Sequence, residues 1–531
     1  MDLQNEKLTS GTHVSYWIDS LEKPLSYFPL NKNTETDVLI IGGGIAGITI
    51  AYCLCRQGKK VILVEDGYLG SGETGRTSAH LVTSLDDRYR RLEKLFGEEG
   101  AKLAAESHSA AIDFVEQTVD TEKINCEFER LDGYLFLHPS DKAEALEEEH
   151  KAALRAGLNV FMLDNIPGMK DGNQPCLVFP RQAQFHPLKY LKGLCNAITR
   201  KGGSIFTETH AAEITSEGIV TDKGFKVTAK HIVIATNSPV NNKFVMHLKQ
   251  FPYRSYIIGA RIKKGIVPRA LWWDTGDFTS NSNIPPYHYI RLQNLDENFD
   301  LLMCGGEDHA TGLAEADIIP EENRYALLED WARTKFPIEE VLYKWSGQVL
   351  ETMDALGFMG RNPWDKNNIY ICTGDSGNGM THCTIAGMII SDLINGKENK
   401  WEKLYSPSRF KIFKAGNVFF KEVIGGFAAY LKDSPKNADN EKIYNLRKDE
   451  AAVIEIDGKK YGAYCDSDNL IHIVDAECTH LKCIVKWNND EKTWDCPCHG
   501  SRFTCDGKVM NGPAIKDLQV YSEADIEMEA K

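Results

Sequence analysis

The chain has 531 residues, which is too long for one average hydrophobic core and predicts two or three domains. Its net charge of −15 argues against nucleic acid or an anionic membrane as a partner, because both would repel an acidic surface. The first residues, Met1–Lys7, lack the basic and apolar regions of a signal peptide, and most of the fourteen cysteines are scattered without spacing. We therefore expect a cytoplasmic protein without an integral membrane segment.

A dinucleotide-binding fingerprint follows an N-terminal arm of residues 1–35. The apolar run Asp37–Ile41 predicts a buried parallel strand. It leads into the G-x-G-x-x-G sequence Gly42–Gly47, a helix, and a second strand that ends at Glu65. The glycines permit a tight turn, the helix N-terminus faces a pyrophosphate, and Glu65 binds a ribose hydroxyl. The uncharged run Val38–Cys55 is long enough to span a membrane, but three consecutive glycines argue against that alternative.

Later segments resemble the D-amino-acid-oxidase-like superfamily, which includes glycine and sarcosine oxidases. Gly70–Ala79 is similar to the loop under the flavin ring, and Gly377–Thr381 is similar to the C-terminal flavin-contacting motif. The resemblance implies an enzyme that uses FAD to oxidise C–N bonds. No second fingerprint occurs in a strand–helix context, so a bound nicotinamide cofactor is not expected. The expected FAD contacts are Gly42, Gly44, Ala46, Gly47, Glu65, Thr74, Arg76, Thr77, Ser78, Ala79, Gly374, Gly379, Met380 and Thr381.

Candidate substrate residues lie in two clusters of aromatic and basic residues on predicted strands. In the superfamily that the chain resembles, an arginine, often helped by a tyrosine, holds the substrate carboxylate, because its planar fork matches a carboxylate. The candidates are Arg254, Tyr256, Tyr289 and Arg291, and a solvated strand residue is the alternative for each arginine. Hydride transfer to a flavin needs positioning more than a protein base, so no catalytic acid or base is predicted.

Residues 401–439 predict a connector. Phenylalanines from Phe410 to Phe427 recur at roughly helical spacing, and Lys436–Asn440 marks the boundary. Such a stripe could lie on a membrane surface, but its positive charge is modest. We expect the connector to pack against the domains on either side.

Two Cys/His pairs near the C-terminus can supply two thiolates and two imidazoles to one metal site. Cys478 and His480 form a Cys-x-His pair, and Cys496 and His499 form a Cys-x-x-His pair. This set can hold a 2Fe–2S cluster with two histidines on one iron. Zinc is the alternative because the same ligand types suit it, although the Cys-x-His spacing is too tight for an ordinary zinc knuckle.

These pairs and their surroundings resemble Rieske proteins of the cytochrome bc type. The resemblance implies that both cysteines bind the buried iron and both histidines bind the outer one. It also implies a disulfide between Cys483 and Cys498, and a proline loop (Asn511–Ala514) over the cluster. The Ser501 hydroxyl is expected to donate a hydrogen bond to a cluster sulfur, which raises the reduction potential. Phe503 stands where high-potential members carry a tyrosine, so we expect a potential below the top of the Rieske range.

The predicted fold class is an α/β, Rossmann-like FAD-binding domain interleaved with an α+β substrate domain, followed by a small all-β Rieske domain. Residues 36–400 form the FAD-dependent part, with the substrate domain at roughly 90–180 and 240–350. Residues 440–531 form the Rieske domain.

The predicted function is that of an FAD-dependent dehydrogenase for an amine or amino-acid-like substrate, which passes electrons through the 2Fe–2S cluster to an external acceptor. One alternative is a flavo-iron–sulfur electron-transfer protein that serves a partner protein, as donor or acceptor, without its own small-molecule substrate. Another is a Rieske oxygenase, which needs a mononuclear iron held by two histidines and a carboxylate. None of the fifteen histidines pairs with another at a spacing of three to six residues, which argues against the oxygenase.

Overall fold

The computed structural model describes residues 13–240, 244–247, 249–280, 282, 284–313, 323–410, 446–522 and 524–526. Its helices are α1 (Tyr16–Asp19), α2 (Ile45–Arg56), α3 (Tyr89–Glu122), α4 (Glu144–Arg155), α5 (Pro187–Arg200), α6 (Phe244–His247), α7 (Arg324–Lys335), α8 (Gly379–Ile394) and α9 (Glu402–Tyr405). Its strands are β1 (Thr34–Ile41), β2 (Val61–Val64), β3 (His80–Leu81), β4 (Glu129–Phe136), β5 (Phe161–Leu163), β6 (Cys176–Gln184), β7 (Ser204–Phe206), β8 (Ala211–Thr215), β9 (Gly218–Thr221), β10 (Lys226–Ile234), β11 (Gln250–Lys263), β12 (Leu271–Asp274), β13 (Tyr289–Asn294), β14 (Phe299–Ala310), β15 (Val341–Thr352), β16 (Phe358–Arg361), β17 (Ile369–Thr373), β18 (Ala451–Ile456), β19 (Lys459–Cys465), β20 (Ile471–Asp475), β21 (Lys486–Asn488), β22 (Thr493–Asp495), β23 (Arg502–Thr504), β24 (Val509–Asn511) and β25 (Val520–Tyr521).

The first sheet carries the fingerprint. Its strands run in the order β16–β17–β10–β1–β2–β7, and β1 pairs in parallel with both β2 and β10. The apolar residues of β2 are buried throughout, as expected for a parallel strand that helices cover. Helices α2, α5 and α8 pack together beside this sheet. The predicted strand–turn–helix–strand unit is therefore present.

The second sheet gathers strands from two separate stretches of chain. Its order is β15–β11–β14–β13–β12–β4–β6–β3, with mainly antiparallel pairs and β5 beside β6. Between these two stretches the chain returns to the first sheet through β7–β10. This interleaving is what the sequence predicted for a substrate domain inserted into an FAD-binding domain.

The C-terminal part consists of two small antiparallel sheets. One has the order β18–β19–β20–β25, and the other has the order β21–β22–β23–β24. Two loops between these short strands carry the Cys/His pairs, one between β20 and β21 and the other between β22 and β23. Together the three regions confirm the predicted fold class.

The described part of the N-terminal arm lies against the flavin-binding half. Trp17 is fully buried, and its indole N–H donates to the carbonyl of Thr77 at 2.6 Å. The predicted connector lies outside the described residues from residue 411 onward. Within the described ranges, no helix combines the length and apolar composition needed to cross a membrane.

Candidate active site and cluster site

The G-x-G-x-x-G sequence forms the turn between β1 and α2. Gly42 has φ +110°, and a Cβ there would lie 2.4 Å from the carbonyl oxygen of Ala235, so only glycine fits. Helix α2 begins after Gly44, which has no side chain to cap it, and the Ile45 N–H donates to the Thr74 hydroxyl at 3.0 Å. The positive end of the helix dipole at this turn suits an anion. At the end of β2, the carboxylate of Glu65 accepts a hydrogen bond from the Gly43 N–H at 2.6 Å. These features suit a dinucleotide pyrophosphate and its ribose.

A cavity of about 970 Å³ opens at this edge of the sheet. That volume lies at the upper end of the range of roughly 300–1,000 Å³ for small-molecule sites, as a large cofactor requires. The predicted FAD contacts that line it are Gly42, Gly44, Ala46, Glu65, Thr74, Arg76, Thr77, Ser78, Gly379 and Met380. The residues of this chain therefore fit FAD.

The other predicted FAD contacts do not line the cavity. Gly47 lets α2 approach the turn, since a Cβ there would lie 2.0 Å from the Gly42 carbonyl oxygen. Gly374 ends β17 in a left-handed conformation, and the Ala79 carbonyl accepts a hydrogen bond from Arg291. Thr381 hydrogen-bonds to the buried His108 at 2.8 Å. Sequence reasoning missed residues 209–214, which line the cavity and carry no motif.

The cavity extends to the second sheet, where aromatic and acidic side chains line it. The aromatic ones are Tyr287 and Tyr289, and the acidic ones are Asp308 and Asp86, the latter from the loop before α3. The Ser255 hydroxyl lies beside them. The hydroxyls of Ser255 and Tyr289 lie 2.7 Å apart. Burial raises the pKa of Asp86 to about 6 and that of Asp308 to about 7. Among the described residues, the Oδ1 atom of Asp308 is buried without a hydrogen-bond partner, so a bound cation could pair with it.

Positive charge is scarce on the described lining of this cavity. Arg76 is its only arginine, and it contains no lysine. Burial lowers the pKa of His80 to about 3, so that imidazole is neutral at pH 7. The substrate end therefore favours a cation over an anion.

The predicted carboxylate-binding residues are not all at the cavity. Tyr289 lines it, whereas Arg254 and Tyr256 alternate with Ser255 along β11 and leave the opposite face of the sheet. The buried Arg254 guanidinium donates to the Ser346 hydroxyl at 2.6 Å. Tyr256 accepts a hydrogen bond from Asn488 of the C-terminal domain, and the Arg254 guanidinium interacts electrostatically with Glu491, Asp495 and Arg502 of that domain.

Arg291 also lies outside the cavity lining. Its guanidinium donates to the carbonyls of Ser78 and Ala79, each at 3.0 Å, and to that of Phe185 at 3.2 Å. It therefore braces the loop that the sequence placed under the flavin.

Two loops of the C-terminal domain bring the predicted cluster ligands together. The Cys478 N–H donates to the Cys483 carbonyl at 2.9 Å in the first loop, and the Cys496 N–H donates to the Ser501 carbonyl at 2.8 Å in the second. Cys478 and Cys496 are buried, and their thiols lie within hydrogen-bonding reach of each other. Both sulfurs can therefore bind one metal ion.

His480 and His499 complete the set. Their ring centroids are 5.1 Å apart, and the Nδ1 atom of each is buried without a hydrogen-bond partner among the described residues. Burying such an atom is unfavourable unless it binds something, so both atoms are suited to ligate metal. Two thiolates and two imidazoles in this arrangement fit a Rieske cluster.

The surroundings of the ligands also match the predicted pattern. A disulfide joins Cys483 to Cys498 with a Cα–Cα distance of 6.4 Å, which confirms the predicted link between the two loops. The Ser501 hydroxyl reaches the Cys478 sulfur and accepts a hydrogen bond from the Ala514 N–H at 3.0 Å. Ser501 thus connects a cluster ligand to the proline loop.

The cluster loops pack directly on the flavin-binding half. Asn511 of the proline loop lines the cavity, and its Nδ2 donates to the Glu73 carboxylate at 2.8 Å. The Gln348 amide donates to the Gly500 carbonyl at 3.1 Å. Gly500 has φ +78°, and a Cβ there would lie 2.5 Å from a side-chain carbon of Pro252. Glycine at this position therefore allows the second cluster loop to approach β11 closely.

A buried polar network extends this contact. Arg502 donates to the Asp495 carboxylate at 2.9 Å, and both side chains are buried. Asn488 donates to the Tyr256 hydroxyl at 3.2 Å, and Tyr325 donates to the Glu491 carboxylate. Removing one partner from such a network leaves a buried charge or dipole unpaired, so the network favours a single docked arrangement.

Comparison with known proteins agrees with both halves of the site. The family described as FAD dependent oxidoreductase matches residues 37–393, and the Rieske [2Fe-2S] domain matches residues 440–522. YhfW of Bacillus subtilis (strain 168), described as a Rieske 2Fe-2S iron-sulfur protein, is 32% identical over 97% of this chain and 99% of its own length. Gamma-glutamylputrescine oxidoreductase of Escherichia coli (strain K12) is 25% identical over 73% of this chain and 90% of its own length.

Solved structures share the fold of the flavin-binding half. Glycine oxidase from Geobacillus kaustophilus has a TM-score of 0.58 and 18% identity, covering 71% of this chain and 99% of its own. L-Amino acid deaminase from Proteus myxofaciens has a TM-score of 0.56 and 16% identity, covering 74% of this chain and 96% of its own. At these identities the likeness concerns architecture alone.

Proposed function

The chain belongs to the FAD dependent oxidoreductase family and carries a Rieske [2Fe-2S] domain, and we propose that it is a dehydrogenase of amines. In this proposal it oxidises the C–N bond of a cationic amine and passes electrons through the Rieske cluster to an external one-electron acceptor. The predicted cofactors, FAD and a 2Fe–2S cluster, and the predicted enzyme class are confirmed by the family matches. We further propose that residues 36–400 form the flavin-dependent part and residues 440–531 the Rieske domain.

The observation that carries the proposal is the shared cavity. Residues of the fingerprint and Asn511 of the proline loop line the same space, and Asn511 is hydrogen-bonded to Glu73 at 2.8 Å. Electron transfer between two centres needs them close together, and a buried interface keeps them so. A cluster docked in this way is suited to take electrons from the flavin site.

The proposed reaction removes a hydride from the carbon next to nitrogen. The ammonium group of the bound substrate first loses a proton to water. The C–H bond then breaks, the hydrogen leaves with the electron pair as hydride, and the resulting iminium is hydrolysed by water to a carbonyl compound and ammonia or a smaller amine. FAD supplies the two-electron acceptor, and the cluster accepts one electron at a time. Two molecules of a one-electron acceptor are therefore reduced for each substrate oxidised. This chain's residues contribute binding and orientation, which such a reaction needs more than a strong base.

The lining of the substrate end supports an amine over an amino acid. Asp86 and Asp308 can pair with an ammonium group, and Tyr287 and Tyr289 supply aromatic faces that attract a cation. An amino acid would bring a carboxylate, for which the described lining offers only Arg76. The name of the Escherichia coli relative, gamma-glutamylputrescine oxidoreductase, is consistent with an amine substrate here.

Anaerobic screening of the purified holoenzyme tests this proposal. Mono-, di- and polyamines and a matched panel of amino acids would be added while flavin absorbance and the electron paramagnetic resonance (EPR) signal of the reduced cluster are recorded. We expect amines to bleach the flavin and then to produce the cluster signal. Reduction by amino acids alone would contradict the preference for amines. Reduction by a donor protein, but by no small molecule, would favour the electron-transfer alternative.

A further inference from the structure

His247, the last residue of α6, packs against both histidines of the cluster site. Its ring centroid lies 5.3 Å from that of His480 and 5.5 Å from that of His499. The two ligand rings are themselves 5.1 Å apart. One imidazole from the flavin-binding half and two from the Rieske domain thus form a compact group, and His247 is only 6% exposed.

A hydrogen bond ties the same residue to the wall of the flavin cavity. The ring of His247 hydrogen-bonds to the Pro239 carbonyl. Residues 236–238, immediately before that proline, line the cavity, and Val240 lines it as well. A short stretch of backbone therefore separates the cavity wall from the imidazole that contacts the cluster ligands.

Simple space filling does not explain the choice of histidine at this position. Burying a polar ring costs free energy, and an apolar side chain of similar size would fill the interface at a lower cost. The imidazole instead contacts His480 and His499, the two ligands assigned to the outer iron. In the Rieske pattern that iron is more exposed than the other. In this chain the flavin-binding half covers that histidine edge.

We propose that His247 is a positioning residue for electron entry into the cluster. Its ring contacts fix the orientations of the His480 and His499 imidazoles. Its side chain also occupies the space between those imidazoles and the flavin cavity. This inference rests on the proposed electron transfer between the two cofactors. Each transfer moves one electron and changes no covalent bond, so the two electrons of a substrate hydride cross in turn. An external one-electron acceptor removes each of them.

Flash photoreduction of the holoenzyme tests the role of His247 without needing a substrate. The flavin would be reduced by light with EDTA as electron donor, and the rate at which the cluster becomes reduced would be followed. We expect His247→Ala to slow that rate by at least about tenfold, as loss of a partner to a metal-ligating histidine commonly does. We also expect altered g-values in the EPR spectrum of the dithionite-reduced cluster. His247→Phe restores a packed ring but not the hydrogen bond to the Pro239 carbonyl, and it should recover only part of the rate.

A matched control and the opposing outcomes keep the test decisive. His231→Ala removes a histidine of β10 whose ring neighbours Tyr370, and it should change neither the rate nor the g-values. An unchanged rate of cluster reduction and unchanged g-values in His247→Ala would overturn the inference. The inference would also fail if the variant slowed photoreduction of the flavin as much as reduction of the cluster. A wild-type protein whose photoreduced flavin never reduces the cluster would instead refute the proposed electron transfer.

Discussion

Asp308 is the side chain on which the proposed preference for amines depends most directly. Burial, with smaller contributions from the charges of Asp86 and Glu307, raises its pKa to about 7 against the lowering effect of Ser255 and His288. Below pH 7 the carboxyl group is neutral and cannot pair with an ammonium group. Above pH 7 it is ionised and can.

The affinity for a cationic amine should therefore rise with pH through about 7. We expect the half-saturating concentration for flavin reduction to fall by up to about tenfold per pH unit below 7, as proton linkage requires. Anaerobic stopped-flow measurements between about pH 6 and 9 would show this. Asp308→Asn should weaken binding and flatten the pH dependence. Asp222→Asn, at the end of the cavity near residues 209–214, should leave it unchanged, and an unaltered profile in Asp308→Asn would argue against the role.

Phe503 determines how many side-chain donors reach the cluster. It is fully buried on β23, and it has no hydroxyl to add to that of Ser501. Hydrogen bonds to the sulfurs stabilise the more negative reduced cluster, so Phe503→Tyr should raise the reduction potential and Ser501→Ala should lower it. Redox titration followed by EPR measures both changes. A wild-type potential near the upper limit of roughly +300 mV would contradict the single-donor interpretation.

At the level of secondary-structure elements, the local motifs could be predicted from the sequence. The face of the sheet on which each strand residue lies could not. The glycines of the fingerprint and the two Cys/His pairs act through neighbours a few residues away, so their spacing alone indicates the chemistry. Tyr256 and Ser255 are adjacent on β11, yet one is hydrogen-bonded to the Rieske domain and the other lines the cavity. Which of them faces the flavin depends on packing against a domain more than two hundred residues later, and no local pattern contains that information.

The two ends of α2 offer a matched pair of glycine substitutions, Gly42 in the turn before the helix and Gly58 just after it. Gly42→Ala would place a Cβ 2.4 Å from the Ala235 carbonyl oxygen at φ +110°, so the turn must shift and FAD should be lost. Gly58 also has a positive φ, of +80°, but a Cβ there would have no other atom within 4 Å. Gly58→Ala should cost only about 1 kcal/mol of stability and keep its FAD. The ratio of flavin to protein absorbance measures the difference, and full FAD content in Gly42→Ala would contradict the predicted cradle.

At the scale of the whole molecule, two cofactor sites with different electron capacities share one buried interface. The sequence identified each site separately, because each has its own motif. It did not predict that the cluster histidines face the flavin-binding half, since that contact depends on docking between distant segments. His247 belongs to no motif, and its position against His480 and His499 became visible only in the folded structure. Under the proposed function, the docked arrangement gives reduced flavin a nearby acceptor other than O₂.

Removing the cluster should therefore separate the two halves of the reaction. Cys496→Ser replaces a buried thiolate ligand with a hydroxyl, which is a poor ligand for an iron–sulfur cluster. We expect the best amine to reduce the flavin at close to the wild-type rate, while turnover with cytochrome c as one-electron acceptor is abolished and reaction with O₂ becomes more prominent. Cys505→Ser changes a free thiol in the same domain and should keep acceptor turnover. Anaerobic assays of flavin reduction and aerobic assays of cytochrome c and O₂ turnover in both variants test this prediction. Undiminished cytochrome c reduction by Cys496→Ser would show that electrons leave the flavin by another route.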